Sequence, residues 1–407
     1  MSEEKLVPKL RFSGFDKNWH NILGKEAFEL LGGGSFKSKD SVKKGILWLK
    51  IANVGINEIK TNELSYLPED FLNAFNKYIL KKGEVILALT RPILDHKLKI
   101  AIINDEFNNS LLNQRVGKIT PLKNSNIKFI YYYLQLPYSI YYLESKISGS
   151  DPPNLSNKDL LNLPIKIPSF EEQQKISQFI SLIDEKIGLL KQKHTYYQDF
   201  KKYLMQQIFA QKLRFNFSDE WKIVKLESLI KKGKAGGTPS STNSDYYKGD
   251  IPFLSIRDMT EQGKYILKTE KTITEEGLNN SSAWIIPKNS LLYSIYASIG
   301  LVAINRSDIS TSQAIYGIIL KDGVSLEYMY YYLTYFKKNI HKYIETGTQG
   351  NLNAKLLKSF EILLPSLEEQ EMIVNVLSIV DEKIENSKKE IEKINEFKKG
   401  LLQQMFV

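Results

Sequence analysis

The sequence predicts an α+β chain: two pseudo-symmetric mixed α/β domains, each followed by a long helix, with the two helices packing as an antiparallel coiled coil. Three observations carry this. The chain repeats itself. Each copy ends in a helix-period run of about 40 residues. Before each run, short apolar strands lead into an aromatic helix.

The repeat comes first, because a missed repeat misassigns the whole fold. "PSFEEQQKISQFISLIDEKI" starts at Pro168 and "PSLEEQEMIVNVLSIVDEKI" at Pro365, 197 residues later. The match runs without a gap to "LMQQIF" (204 to 209) against "LLQQMF" (401 to 406), with 19 identities in 42 positions. The same offset pairs Asn154-Leu155 with Asn351-Leu352. Farther upstream the match persists with small shifts. Tyr131 to Leu134 answer Tyr330 to Leu333, Gln114 answers Gln313, and Gly33-Gly34 answer Gly236-Gly237. "GILWLKIANV" (45 to 54) answers "DIPFLSIRDM" (250 to 259). The expected divisions are a first domain at 1–167, a helix at 168–212, a second domain at 213–364 and a helix at 365–407.

Each front part reads as mixed. "EVILALT" (84 to 90), "KIAIIN" (99 to 104), "SLLYSIYA" (290 to 297) and "AIYGIIL" (314 to 320) are strand-like runs. Residues 128–147 and 326–345 read as aromatic helices whose Tyr and Phe side chains belong to a core. Pro137 breaks the first of them.

In the back parts, apolar residues fall at Ile176, Ile180, Ile183, Ile187, Leu190, Tyr197, Phe200, Leu204 and Ile208. The second copy has Ile373, Leu377, Val380, Ile384, Ile391, Ile394, Phe397, Leu401 and Met405. Steps of three and four give the narrow seam of a coiled coil. Ser169 with Glu172, and Ser366 with Glu369, predict a capping box at each start. A helix of about 40 residues is about 60 Å long. Such a rod cannot bury its stripe inside a small domain, so the two rods are expected to pair.

Composition excludes several chemistries. The chain of 407 residues has no cysteine, so thiolate catalysis, disulfides and Cys-bound zinc are out. Its four histidines have no metal-site spacing. The start, MSEEKLVPKLRF, has no signal-peptide core, and no apolar window is long enough to span a membrane, which gives a cytoplasmic expectation. A net charge of +10 favours a polyanionic partner.

Two motifs imitate catalytic ones. "GGGSFKS" (32 to 38) lacks the Gly-Lys pair of a phosphate loop, and its counterpart "AGGTPSST" has no lysine, so it reads as a polar loop. "SGSDPPNLSNKDL" (148 to 160) resembles the amine-gripping loop of adenine methyltransferases at Asp151, Pro152 and Pro153, but Asn154 stands where an aromatic residue should stack on the base. Its partner, "TGTQGNLNAKLL" (346 to 357), does not share Asp-Pro-Pro. It reads as a proline-stiffened turn leaving the aromatic helix. No glycine-rich cradle for S-adenosylmethionine or a dinucleotide is present.

A basic, duplicated chain without catalytic motifs suits a reader of two short DNA sequences, since base edges are read by Arg, Lys, Asn, Gln, Ser and Thr. The candidate contact residues are Ser35, Lys37, Lys39, Arg91, Gln114 and Arg115 in the first half, and Thr238, Ser240, Lys248, Arg257 and Gln313 in the second. The rival reading is a coiled-coil scaffold or adaptor with no sequence-specific DNA contact.

The order of variable domain, "NLSNKDLLNLPIKIPSFEEQ" (154 to 173), long helix and "LMQQIF", then "NLNAKLLKSFEILLPSLEEQ" (351 to 370), long helix and "LLQQMF", resembles the specificity subunit of a type I restriction–modification enzyme. Glu361 stands where the first copy has Pro164, a small departure. The resemblance implies two target recognition domains, each reading half of a bipartite, asymmetric site in double-stranded DNA. It implies helices that space the halves and dock two modification (methyltransferase) subunits. It places S-adenosylmethionine on those subunits, and ATP and Mg on associated restriction (translocase/nuclease) subunits. It implies neither catalysis nor a cofactor in this chain.

Overall fold

The computed structural model describes residues 6–147, 152–215, 217–342 and 352–407. Five helices carry the frame: α1 (Ile127–Tyr133), α2 (Pro137–Ile147), α3 (Phe170–Phe209), α4 (Leu326–Phe336) and α5 (Leu367–Met405). The compact units do not follow the chain linearly. One comprises residues 1–191 with 389–407, and the other 192–388. Each unit therefore owns part of both long helices.

In the first unit, a four-stranded antiparallel sheet runs in the order Phe28–Gly32, Val116–Pro121, Val85–Ala88, Ile100–Ile102. The expected strands at 84–90 and 99–104 are both there. Val85 to Ala88 are buried on both faces, which explains their unbroken apolar run. His20–Leu23 pairs antiparallel with Pro164–Ile167 and closes the domain just before α3. Pro137 starts α2 after a break at residues 134–136, as a proline without an amide hydrogen must. In the second unit, the sheet order is Ile230–Ala235, Ile315–Leu320, Leu291–Ser294, Val302–Asn305, Tyr265–Ile266. Lys222–Lys225 with Glu361–Leu364 repeats the closing pair.

The aromatic helices are core. Phe129 and Tyr131 to Tyr133 are buried in the first unit, and Tyr328 to Tyr332 in the second. Burial raises the pKa of Tyr131, Tyr132, Tyr293, Tyr328, Tyr330 and Tyr331. Tyr133 is pushed up to about 12 by burial, although the Lys166 amide donating to its oxygen at 3.0 Å opposes this.

The strongly repeated Pro-Ser-x-Glu-Glu-Gln has a physical reason, and it differs from the expected one. Only half of the capping box forms. The Glu172 amide donates to Ser169 Oγ at 3.3 Å, and the Glu369 amide to Ser366 Oγ at 3.3 Å. The glutamate side chains do not return to the cap. Glu172, 2% exposed, takes Arg11 Nε and Nη2 at 2.8 Å each and Trp19 Nε1 at 3.4 Å. Glu369, 1% exposed, takes Arg214 Nε at 3.2 Å, Arg214 Nη2 at 2.8 Å and Trp221 Nε1 at 2.9 Å. A buried carboxylate needs such partners, and a bidentate guanidinium outcompetes a solvated backbone amide. The next residue is an amide bracket. Gln173 accepts from the Asn126 amide at the start of α1 and donates to the Asn124 and Pro168 carbonyls. Gln370 accepts from the Ser325 amide at the start of α4 and donates to the Pro365 carbonyl.

The long helices run antiparallel within each unit. In the first, Lys398 meets Asp184 at 2.5 Å, and Asp184 also accepts from Tyr132 at 2.8 Å. In the second, Lys201 meets Asp381 at 2.6 Å, Asp381 accepts from Tyr331 at 2.6 Å, and His194 bonds Ser387 at 2.8 Å. Lys201 and Lys398 stand at the same place in the repeat, as do Asp184 and Asp381. The same triad is thus built twice, each time with lysine and aspartate from opposite helices. The stripe is less seam-like than its period suggests. Ile176 and Ile180 pack into the first domain's core together with Leu401, Met405 and Phe406. Phe209 closes the second core. Phe200 and Phe397, both expected in the seam, are exposed.

Candidate functional site

Both units build one loop crossing from the doubled glycine. Gly34 N donates to Leu112 O at 2.8 Å, and Gln114 N donates back to Gly34 O at 2.9 Å. In the second unit Gly236 N donates to Ile315 O at 2.9 Å and Gly237 N to Thr311 O at 3.0 Å. A Cβ on Gly33 would lie 2.2 Å from Leu112 O, and one on Gly236 2.2 Å from Thr311 O. Only glycine lets these backbones cross. The crossed segment follows a parallel strand pair in both units, Trp48 beside Leu111 and Phe253 beside Ser310. "GGGSFKS" is therefore a crossing followed by a 3-10 turn (Ser38–Asp40), with no helix to cradle phosphate.

The crossing brings predicted residues together. Ser35 lies next to Gln114, both exposed, because Gly34 bridges Asn113. In the second unit the Thr238 hydroxyl donates to the Gln313 side-chain oxygen. Arg115 follows Gln114 and lines a depression of about 330 Å³ with Arg91, Lys99, Thr90, Ile51, Ala52 and Pro152. Lys37 and Lys39 are exposed on or beside the 3-10 turn and are not lining residues of that depression. Ser240 shares a 2.7 Å hydrogen bond with Thr242. Lys248 is exposed with φ 62° at the irregular start of strand Tyr247–Leu254. Arg257, on the helix Ile256–Gln262, is engaged by Glu261 at 2.7 Å and Glu270 at 3.7 Å. Both pairs lie at the surface, where the Arg257 side chain is 70% exposed.

Sequence reasoning missed Thr90, Lys99 and Tyr296. Thr90 and Tyr296 sit on one equivalent loop, where Arg91 has φ 46° and Ala297 φ 45°. A left-handed residue leaves no mark in the side-chain pattern. Setting "LTRP" (89 to 92) against "IYAS" (295 to 298) would have found it. The DPP turn is partly visible, because Asp151 and residues 148–150 lie outside the described residues, as does Asn351 in the partner loop. Pro153 O accepts from Arg91 N at 2.7 Å, and Thr90 Oγ1 donates to Asn154 Oδ1 at 2.6 Å. Leu155 N donates to Leu89 O at 2.7 Å, and Leu352 N to Ile295 O at 3.3 Å. The shared leucine thus ties each turn to the loop.

Among the described residues no group of His, Asp or Glu could hold a metal, and no helix is long and apolar enough to cross a membrane.

The family model for the type I restriction modification DNA specificity domain matches twice, at residues 17–195 and 218–396. The type I restriction enzyme MjaVIII specificity subunit of Methanocaldococcus jannaschii is 32% identical over 214 residues, 52% of this chain and 50% of that protein. The EcoR124I/EcoR124II specificity subunit of Escherichia coli is 26% identical over 278 residues, 63% of each. The chain thus spans about half to two thirds of these curated relatives. In fold, it matches the crystal structure of a type I system S subunit from M. genitalium with a TM-score of 0.60 at 16% identity, over 98% of this chain and 99% of that one. With two copies of the family's domain, each followed by its long helix, the chain belongs to the type I restriction modification DNA specificity family.

Proposed function

We propose that this chain supplies DNA sequence recognition to a type I restriction–modification complex. Each domain reads one half of a bipartite, asymmetric site, the helices set the spacing, and two modification subunits dock on the frame. The chain performs no catalysis, and S-adenosylmethionine belongs to the modification subunits. The observation that carries this reading is a buried frame built twice under an exposed rim that differs. The glycine crossing, the left-handed loop residue and the Gln114/Gln313 position recur, while Thr90-Arg91 becomes Tyr296-Ala297 and Arg115 becomes Ala314. A scaffold that read nothing would have no use for one frame with two different rims. Docking of two like partners is supported by a duplicated groove. In the first unit it is lined by Lys398, Lys399, Leu402 and Gln403 with Gln135 and Leu136, and in the second by Lys201, Lys202, Met205 and Gln206 with Thr334 and Tyr335.

The test is duplex competition. The chain with its modification subunit should prefer one duplex from a random pool, and affinity should fall steeply with salt. No preference together with a flat salt response would favour the scaffold.

A further inference from the structure

We propose that the first unit carries a pocket for a single DNA backbone phosphate, formed by Arg91, Lys99 and Arg115, which the second unit lacks. This rests on the DNA-reading function above. Three cations line one depression, whose other walls are Ile51, Ala52, Thr90 and Pro152. Its 330 Å³ is roughly ten times a water's share of liquid volume, about 30 Å³. Among the described residues no carboxylate pairs with any of the three. Burial lowers the pKa of Lys99, and the charges of Lys60 and Arg91 lower it further. Like charges held together without a counter-ion are a cost that a bound anion would offset.

The backbone beneath them is fixed. Leu89 N donates to Arg115 O at 2.9 Å, Ala88 N to Lys99 O at 3.0 Å, and Lys99 N to Pro92 O at 2.7 Å. The second unit repeats the ties with Ile295 N to Ala314 O at 2.8 Å and Ser294 N to Leu301 O at 2.9 Å. These bonds, with the left-handed residue, set the correspondence. Arg91 answers Ala297, Lys99 answers Leu301 and Arg115 answers Ala314. All three cations become apolar on the same frame, so the pocket is not a by-product of the fold. Its ligand is a phosphate rather than a base. Among the described residues the lining has no carboxylate or side-chain amide to discriminate a base edge, whereas guanidinium and ammonium groups suit phosphate oxygens. Gln114 and Ser35 beside it are the better base readers, with the phosphate fixing their register.

The experiment uses the chain with its modification subunit, wild type against R91Q/K99M/R115Q, on the preferred duplex and a scrambled one. The slope of log affinity against log salt should shrink by about 0.9, the value for one phosphate. Affinity should fall on both duplexes alike, and the methylated motif should not change. A scan of single neutral methylphosphonates should find one position that weakens the wild type and is silent in the variant. If the triple variant does not fold, K99M alone is read by the same scan. A relaxed motif with an unchanged slope would make these residues base readers and overturn the proposal. So would an unchanged slope with no silent position. A wild type that shows neither preference nor slope would instead sink the DNA reading itself.

Discussion

Glu172 is the anchor where the first long helix leaves its domain, and a mutant cycle with Arg11 tests how it works. The carboxylate is 2% exposed and the Arg11 side chain 12%. Removing one partner of a fully buried pair costs about 3–5 kcal/mol, because the other charge is stranded. The guanidinium reaches the surface at one edge, so water screening reduces this to about 2–3 kcal/mol for E172M or R11M. In R11M/E172M no charge is stranded. The remaining losses are the acceptor for the Trp19 indole, whose bond at 3.4 Å is long, and the solvent-exposed bond from Arg11 to the Lys17 carbonyl, which water replaces; together they cost about 1 kcal/mol. Hydrogen exchange on peptides covering residues 170–187 reads the first unit without assuming two-state unfolding of the whole chain. Each single variant should exchange about 30- to 150-fold faster there, and the double variant about 5-fold faster. If the double variant were as damaged as the two singles summed, the pair would not be coupled. If E172M exchanged like wild type, the carboxylate would not be an anchor.

Three further outcomes follow from the packing. Phe406 stacks on Phe129 at 5.1 Å and meets Trp19 and Tyr133 edge-on, so F406A should cost about 3–5 kcal/mol in the first unit, measured by exchange at residues 127–133; F209A should do the same at residues 326–336. G33A should destabilise by about 1–3 kcal/mol, because backbone atoms cannot yield to the new Cβ, whereas G32A, whose Cβ meets nothing within 4 Å, should be neutral or stabilising in urea titrations. The buried tyrosines set an alkaline limit. Their folded pKa values lie above the ordinary 10, that of Tyr133 at about 12, so the neutral phenols stabilise the fold below pH 10 and that stability is lost as pH rises from 10 towards 12. Ionisation of these buried phenols, read by ring NMR of labelled tyrosines, should therefore coincide with loss of circular dichroism, and a buried phenolate in an intact fold at pH 10 would contradict this.

The frame was legible because it is local and written twice. Strands, the break at Pro137, the long helices and the core role of the aromatic helices all leave period or composition signals. The capping box was half misread, because its signature cannot show that Arg11 and Trp19, more than 150 residues away, claim the glutamate. Burial along the helices was overdrawn for a related reason. Periodicity marks a face but not its occupant, and Ile176 faces its domain while Phe397 faces solvent. At the rim, the aligned repeats marked Gln114 and Gln313 as one position but gave no sign of the bond from Thr238 to Gln313; the Arg257–Glu261 pair is a local i,i+4 pattern, whereas Glu270 meets Arg257 only through the fold. Lys99 escaped because it sits between strand residues in an otherwise apolar run.

The most direct measurement of the central claim is a map of N6-methyladenine in cells that express this chain with its modification subunit. One bipartite motif is expected. Replacing residues 1–167 with the matching domain of another specificity subunit should change one half of that motif and leave the other half as it was. A methylation pattern indifferent to the exchange, or one with no motif in either case, would contradict it.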